Sequence, residues 1–243
     1  MTRPTLKRLF RAAACFLALA SCSAQDATEI EIEAATIASR SEVRFPATMR
    51  AIGVKEGKVS LALSIDEQGE LVDAFVVESS RRAFADSALK SIETWTFEPA
   101  LYNGQPFPST VRVDLEFELD KKLRWQTFQA PTETNITQTA QIEQPITARS
   151  IEELDAIPLP LQIVEPSDEL EGEVTVEFYI DELGDVRCPN IVGGTNLDFS
   201  RVVLDSVAQW RFQPPVSKGH RTNALVRQTF QHREGKLATV EAD

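Results

Sequence analysis

Few residues of this chain could do covalent or acid–base chemistry. Its 243 residues include three cysteines and two histidines. A nucleophile needs a base within hydrogen-bond reach and a third group to orient that base. His220 and His232 stand far in sequence from Cys188, and no G-x-S-x-G elbow or phosphate-binding loop is present. The carboxylate pairs Asp66-Glu67 and Asp181-Glu182 are the remaining candidates, for proton sharing or for Ca2+. Each pair sits in a short turn, where Asp favours turn hydrogen bonds and too few oxygens converge to hold a cation. Cys188, beside Pro189, reads as a structural thiol and the histidines as solvated side chains. No catalytic residue, no metal site and no cofactor is implied, which leaves surface and backbone to carry a function.

The N-terminus adds one modification site. Arg3, Lys7, Arg8 and Arg11 precede an apolar run, Ala12 to Ala20, too short to span a bilayer, so residues 1–21 read as a signal peptide. Leu19-Ala20-Ser21-Cys22 resembles a bacterial lipobox, in which small residues fit the peptidase and the cysteine thiol accepts the lipid. Cys22 is the expected lipidation site and mature N-terminus, with ordinary cleavage near Ala24 as the alternative. Cys15 would be lost with the leader, leaving Cys188 without an unmodified cysteine to pair with, so stability must come from apolar cores. Without the four basic leader residues the chain carries 21 basic and 37 acidic side chains, a formal charge of −16. Such a surface repels nucleic acid and anionic headgroups. A mature length of about 220 residues suits one large domain or two small ones.

The chain repeats itself. W-x-F-x-P-x-x-x-x-G occurs at Trp95–Gly104 and again at Trp210–Gly219, and a shift of 115 aligns residues 56–117 with 171–232 without a gap. Seventeen of these 62 positions are identical, where average composition gives roughly four by chance. The matches run in order: Gly57 and Gly172, the Ile-Asp-Glu-x-Gly turns ending at Gly69 and Gly184, Phe84 and Phe199, then the Trp pair.

Each copy reads element by element as β-β-α-β. Val59, Leu61, Leu63 and Ile65 alternate with small or polar residues, as do Val174, Val176, Phe178 and Ile180, the period of a half-buried strand. The Asp-Glu-x-Gly turn then closes a hairpin onto Leu71–Val77 or Val186–Val192. Ser79-Ser80 and Thr195-Asn196 offer helix N-caps. Phe84, Ala88, Ile92 and Trp95 recur at helical spacing, as do Phe199, Val203, Val207 and Trp210. Phe97 and Phe212 follow in extended backbone, and Pro99 and Pro214 forbid further helix. A last strand points Val111, Val113, Leu115 and Phe117 one way and Arg112, Asp114, Glu116 and Glu118 the other. The fold class expected is α+β: two tandem domains, each a three-stranded antiparallel sheet with a helix on one face and the other face wet. Phe45-Pro46 and Leu159-Pro160 lead into the two copies, and Ser150 with Glu153 predicts a capped short helix at 151–156.

The ordered series of Phe45-Pro46, Glu56-Gly57-x-Val59, Asp66-x-x-Gly69, Ser79-Ser80, Ala88-Leu89 and Trp95-x-Phe97-x-Pro99-Ala100 resembles the C-terminal domain of TonB energy transducers. The second copy carries it as Leu159-Pro160, Glu171-Gly172-x-Val174, Asp181-x-x-Gly184, Val203-Leu204 and Trp210-x-Phe212-x-Pro214. The resemblance implies a non-enzymatic protein-binding module that passes inner-membrane energy to outer-membrane transporters, by adding an extended transporter segment to a sheet edge. The expected edges are Thr110 to Leu119, with Thr110, Arg112, Asp114, Glu116 and Glu118, and Leu225 to Arg233, with Leu225, Arg227, Thr229 and Gln231. An ordinary edge protected by its charges is the competing reading.

The residues and the resemblance together lead us to expect this organisation: signal peptide 1–21, acidic tether 22–40, first domain 41–119, polar linker 120–149, second domain 150–233 and disordered tail 234–243. Trp125 and Phe128 are expected to dock on a domain rather than float in the linker. The chain departs from the family's usual pattern in lacking an uncleaved membrane helix and a Pro-rich spacer. With Ser23 after the lipidated cysteine, an outer-membrane anchor facing the periplasm is expected. The tether to Phe45 would reach about 80 Å at most. Expected partners are outer-membrane TonB-dependent transporters or other envelope proteins, the membrane through the lipid, and no nucleic acid. The alternative function is a structural envelope lipoprotein that scaffolds a complex or forms a homodimer through its edge strands. Gln228 and His232 replace Val113 and Phe117, so copy one is expected to pack better and the copies to divide their roles.

Overall fold

The computed structural model describes residues 31–119, 124–128, 145–166, 170–233 and 236–241, with backbone alone for 124–128 and 236–241. The leader and Cys22 lie outside the described residues. The described chain is mixed α+β and mostly strand. Its main elements are β1 (Thr36–Ser39), α1 (Ala47–Ala51), β2 (Glu56–Ile65), β3 (Leu71–Ser79), α2 (Arg82–Ile92), β4 (Ser109–Glu118), β5 (Arg124–Phe128), β6 (Ile146–Ser150), β7 (Pro160–Gln162), β8 (Gly172–Ile180), β9 (Val186–Gly194), α3 (Leu197–Val207), β10 (Asn223–Arg233) and β11 (Lys236–Glu241). Among the described residues no helix is long and apolar enough to cross a membrane.

The helix stripe forms as its spacing dictates. Phe84, Ala88, Ile92 and Trp95 are buried in copy one, and Phe199, Val203, Val207 and Trp210 in copy two. Burying an aromatic or large aliphatic side chain contributes about 1.5–3 kcal/mol, so these stripes hold each helix on its sheet. The helix lies so close that a Cβ on Gly57 would collide with the Phe84 ring, and one on Gly172 would meet Phe199 at 2.9 Å. The Glu-Gly motif is thus a close approach of strand and helix. Gly69 and Gly184 adopt φ of +81° and +91°. A Cβ there would strike the Phe97 or Phe212 carbonyl, so the hairpin turn and the W-x-F-x-P strand lock together. Asp66 and Asp181 work within these turns: Asp66 Oδ1 accepts from the Gln68 and Glu70 amides, and Asp181 Oδ1 from Leu183 and Asp185.

The structure differs from the expectation of two separate three-stranded sheets. One nine-stranded sheet runs β9-β8-β10-β6-β3-β2-β4-β5, with β11 also on β10. β6 is the bridge, parallel to β10 at 148–150 and antiparallel to β3 at 146–147. The faces expected to be wet meet: β9 packs over β2, β3 and β4, and Ala62, Phe75, Val77, Tyr179 and Cys188 form a buried cluster between the copies. Apolar residues on both sides of β3 and β8 have to be covered twice, and the second copy is the cover.

Four local expectations also change. The linker supplies β5 and β6, the tail supplies β11, and the tether supplies Ile32–Glu33 and β1. The backbone of Trp125 and Phe128 pairs with β4, while their side chains and residues 129–144 lie outside the described residues. Phe45-Pro46 and Leu159-Pro160 are not equivalent: Pro46 precedes α1, whereas Pro160 lies in β7 opposite Phe212. The counterpart of that pairing in copy one is Ile37 opposite Phe97. Asn196 caps α3 by accepting from the Phe199 amide, but Ser79 and Ser80 do not cap α2, whose N-cap is Arg81. Near the second copy, Ile151–Glu153 is a 3-10 turn, shorter than expected, with the Ser150–Glu153 capping box.

Candidate functional site

The expected site residues lie on β4 and β10. β4 pairs with β2 along its whole length, and β10 with β8. Val111, Val113, Leu115 and Phe117 are buried in the core cluster that also holds Phe84, Ala88 and Ile92 of α2, which sends the alternate side chains to the opposite face.

Those outward side chains are already engaged across the ladder. Arg112 Nε donates to Ser60 Oγ at 2.8 Å, Asp114 accepts from Ser60, and Glu116 lies 3.3 Å from Lys58 Nζ. Glu118 is half-buried at the strand end. Thr110 belongs to the contact between copies: its amide donates to Asn190 Oδ1 at 2.9 Å and its hydroxyl to the Pro189 carbonyl. In copy two Arg227 binds Glu177 at 2.8 Å, the Thr229 and Thr175 hydroxyls are 2.8 Å apart, and Gln231 donates to Glu173. Leu225 packs on the cluster between the copies. The side-chain ladders fix register and leave the backbone edge as the part that can bind.

Both backbone edges are largely covered, contrary to expectation. β5 pairs antiparallel with β4, from Glu116 opposite Arg124 to Arg112 opposite Phe128. β11 pairs antiparallel with β10, from Arg233 opposite Lys236 to Gln228 opposite Glu241. β10 is also taken at Asn223, Ala224 and Leu225 by β6. Each third strand therefore already accepts an extended segment, supplied by the same chain. Glu234-Gly235 between alternating stretches was the sequence signal for the second pairing.

Beside its apolar cluster, the contact between copies carries a partly exposed ion pair. Arg187 grips Asp73 with Nε and Nη2, at 2.9 and 2.5 Å. Burial works against the Asp73 carboxylate, but the guanidinium outweighs it and holds the pKa below its ordinary value. Cys188, with φ of +46°, directs its thiol at the Ala62 carbonyl and Asp73, and burial beside that carboxylate pushes its pKa well up. A buried thiol held in its neutral form is a poor nucleophile. Tyr179, pushed to about 12 by burial, packs on Phe75 with ring centroids 5.2 Å apart. Arg201 pairs with Glu67 and stacks over Phe107. A cavity of about 310 Å3 opens beside this seam, next to Tyr102, Ser109 and Ile191. Its charged members are engaged, Arg112 with Ser60 and Glu177 with Arg227, so it offers no free charge to select a ligand.

The remaining motif residues are structural. Trp210 Nε1 donates to the Val164 carbonyl at 2.8 Å, Phe212 stacks on Phe178, and His232 Nδ1 donates to the Leu170 carbonyl. His220 is exposed in a short strand. Sequence reasoning missed the packing between copies, although Leu71–Val77 is nearly continuous in apolar residues, the pattern of a strand buried on both faces.

Residues 41–119 and 166–233 both match the family described as Gram-negative bacterial TonB protein C-terminal. No curated protein and no solved structure matches the chain.

Proposed function

We propose, for a chain that belongs to the Gram-negative bacterial TonB protein C-terminal family, that it is a periplasm-facing lipoprotein carrying two tandem β-β-α-β copies. The family supports a role in TonB-dependent transport and an envelope location. In our reading the chain is anchored through Cys22, in the outer membrane, and binds outer-membrane transporters without catalysing a reaction. Binding is by strand addition: an extended transporter segment pairs with a third-strand edge, and its backbone supplies most of the affinity. The observation that carries this reading is that β4 and β10 each seat a short extended segment in antiparallel register. An edge that orders such a segment from its own chain has the geometry to order one from another.

The test is a titration of the lipid-free chain, Ser23 to Asp243, with N-terminal peptides of the transporters from the same cell, followed by backbone amide NMR. Saturable shifts along β4 or β10 are the expected result. No shift at millimolar peptide, together with concentration-dependent self-association, would replace this reading with an envelope scaffold that dimerises through its edges.

A further inference from the structure

We propose that β5 is a displaceable placeholder on the edge of β4, that β11 is a permanent cover on β10, and that copy one is therefore the receptor and copy two its scaffold. The proposal deepens the strand-addition reading and rests on it.

The two covers are held differently. β11 follows β10 through two residues, 234 and 235, and pairs at six positions. β5 pairs at five positions, and seven residues separate Glu116 from its partner Arg124. A two-residue hairpin keeps its strand at high local concentration, and a longer loop loses more chain entropy on closing. The chain connection also gives β5 room to leave. Its far end leads into residues 129–145 before β6 begins, and the 26 residues between Leu119 and Ile146 span up to about 85 Å when extended.

The neighbours of each strand point the same way. β10 is covered twice on its outer side, by β6 at 223–225 and by β11 at 228–233. β6 also joins the copies through β3, so opening β10 there would break the nine-stranded sheet. Among the described residues β4 has only β5 beyond it, at the end of the sheet order. Removing β5 exposes the backbone groups of Arg112 to Glu116 and leaves Val113 and Leu115 in the core cluster with Phe84, Ala88 and Ile92. The partner that fits is an extended peptide of about five residues that pairs antiparallel with those positions.

The test uses the lipid-free chain, Ser23 to Asp243, and two probes: a synthetic peptide of residues 123–130, and the transporter peptides. Gln126→Pro/Thr127→Pro removes ladder donors whichever of the two faces β4, so β5 detaches. This variant is expected to bind both probes at least tenfold more tightly than the parent chain. Glu116→Cys/Arg124→Cys, oxidised, locks β5 in place; binding should disappear and return on reduction. The matching lock in copy two, Arg233→Cys/Lys236→Cys, should leave binding unchanged. Equal affinity of the parent and proline variants, or loss of binding with the copy-two lock alone, overturns the placeholder. If the 123–130 peptide binds the proline variant and the transporter peptides do not, the placeholder stands and the transporter reading falls. If neither probe binds any variant, both fall.

Discussion

The two copies share a framework and divide over where the aromatic rings sit. In copy one Phe45, Phe84 and Phe117 meet at the start of α2, with centroids 4.9 to 6.4 Å apart. In copy two that end holds, among the described residues, the pair of Phe199 and the His232 ring, and the aromatic cluster has moved past the end of α3, where Trp210 meets Phe178, Phe212 and Phe230. The polar atoms follow the rings. Trp95 Nε1 and His232 Nε2 are buried without a partner, whereas Trp210 Nε1 is bonded to Val164. One unit can thus be stabilised at either end. Copy two, with fewer rings at its helix start, carries His232 at that end of its third strand, a strand flanked by β6 and β11.

The largest test of this contrast is truncation of the equivalent helix phenylalanines. Phe84→Ala and Phe199→Ala should each cost about 3–5 kcal/mol. Phe84→Ala should cost more, because two further aromatic rings lose their neighbour. Urea unfolding followed by fluorescence should show one transition in both, since the copies share a sheet; two separated transitions would undo the picture of a joint core. The next test isolates a hydrogen bond. Trp95→Phe and Trp210→Phe remove the same atoms, but only Trp210→Phe strands a carbonyl, so it should be worse by about 1–3 kcal/mol. Equal losses would mean that the indole N–H does not distinguish the copies.

The seam between the copies gives a smaller effect with a pH signature. Arg187→Ala should cost about 1–2 kcal/mol at pH 7, between the values for exposed and buried pairs. The folded pKa of Asp73 lies below its ordinary 3.8. Its contribution is therefore fully present above pH 4 and is lost as pH falls through the lower folded value. Unfolding curves of the parent and variant should converge in that acid range; a constant gap would show that Arg187 acts by packing alone. The smallest effect is at the helix starts. Asn196→Ala should cost about 1 kcal/mol as a lost cap, while Arg81→Ala, which removes no cap bond, should be near neutral by thermal melt.

Much of each copy was legible because it is written in local periods. Alternation fixed the core faces of β2 and β8, and the helical stripe ending in Trp95 or Trp210 fixed which face of α2 and α3 is buried. Gly57 and Gly69 marked places where side chains do not fit. The Leu159-Pro160 lead-in misled because proline suits both the start of a helix and an edge strand. The candidate site was legible as strands but not as edges. Nothing in Thr110 to Leu119 states what lies beside it, because the groups that accept a neighbouring strand are backbone groups, which every residue carries.

By itself, then, the sequence determined the repeat, the helix and strand faces, the hairpin turns and the family. Those follow from side-chain burial at periods of 2 and 3.6 within a few residues of each other. Only the tertiary structure decided that β6 ties the copies into one sheet, that Arg187 reaches Asp73 across the outer faces, and that β5 and β11 fill the third-strand edges. The first two join segments far apart in the chain, so no local period announces them; the covers lie close in sequence, but the backbone groups that seat them are carried by every residue and name no partner.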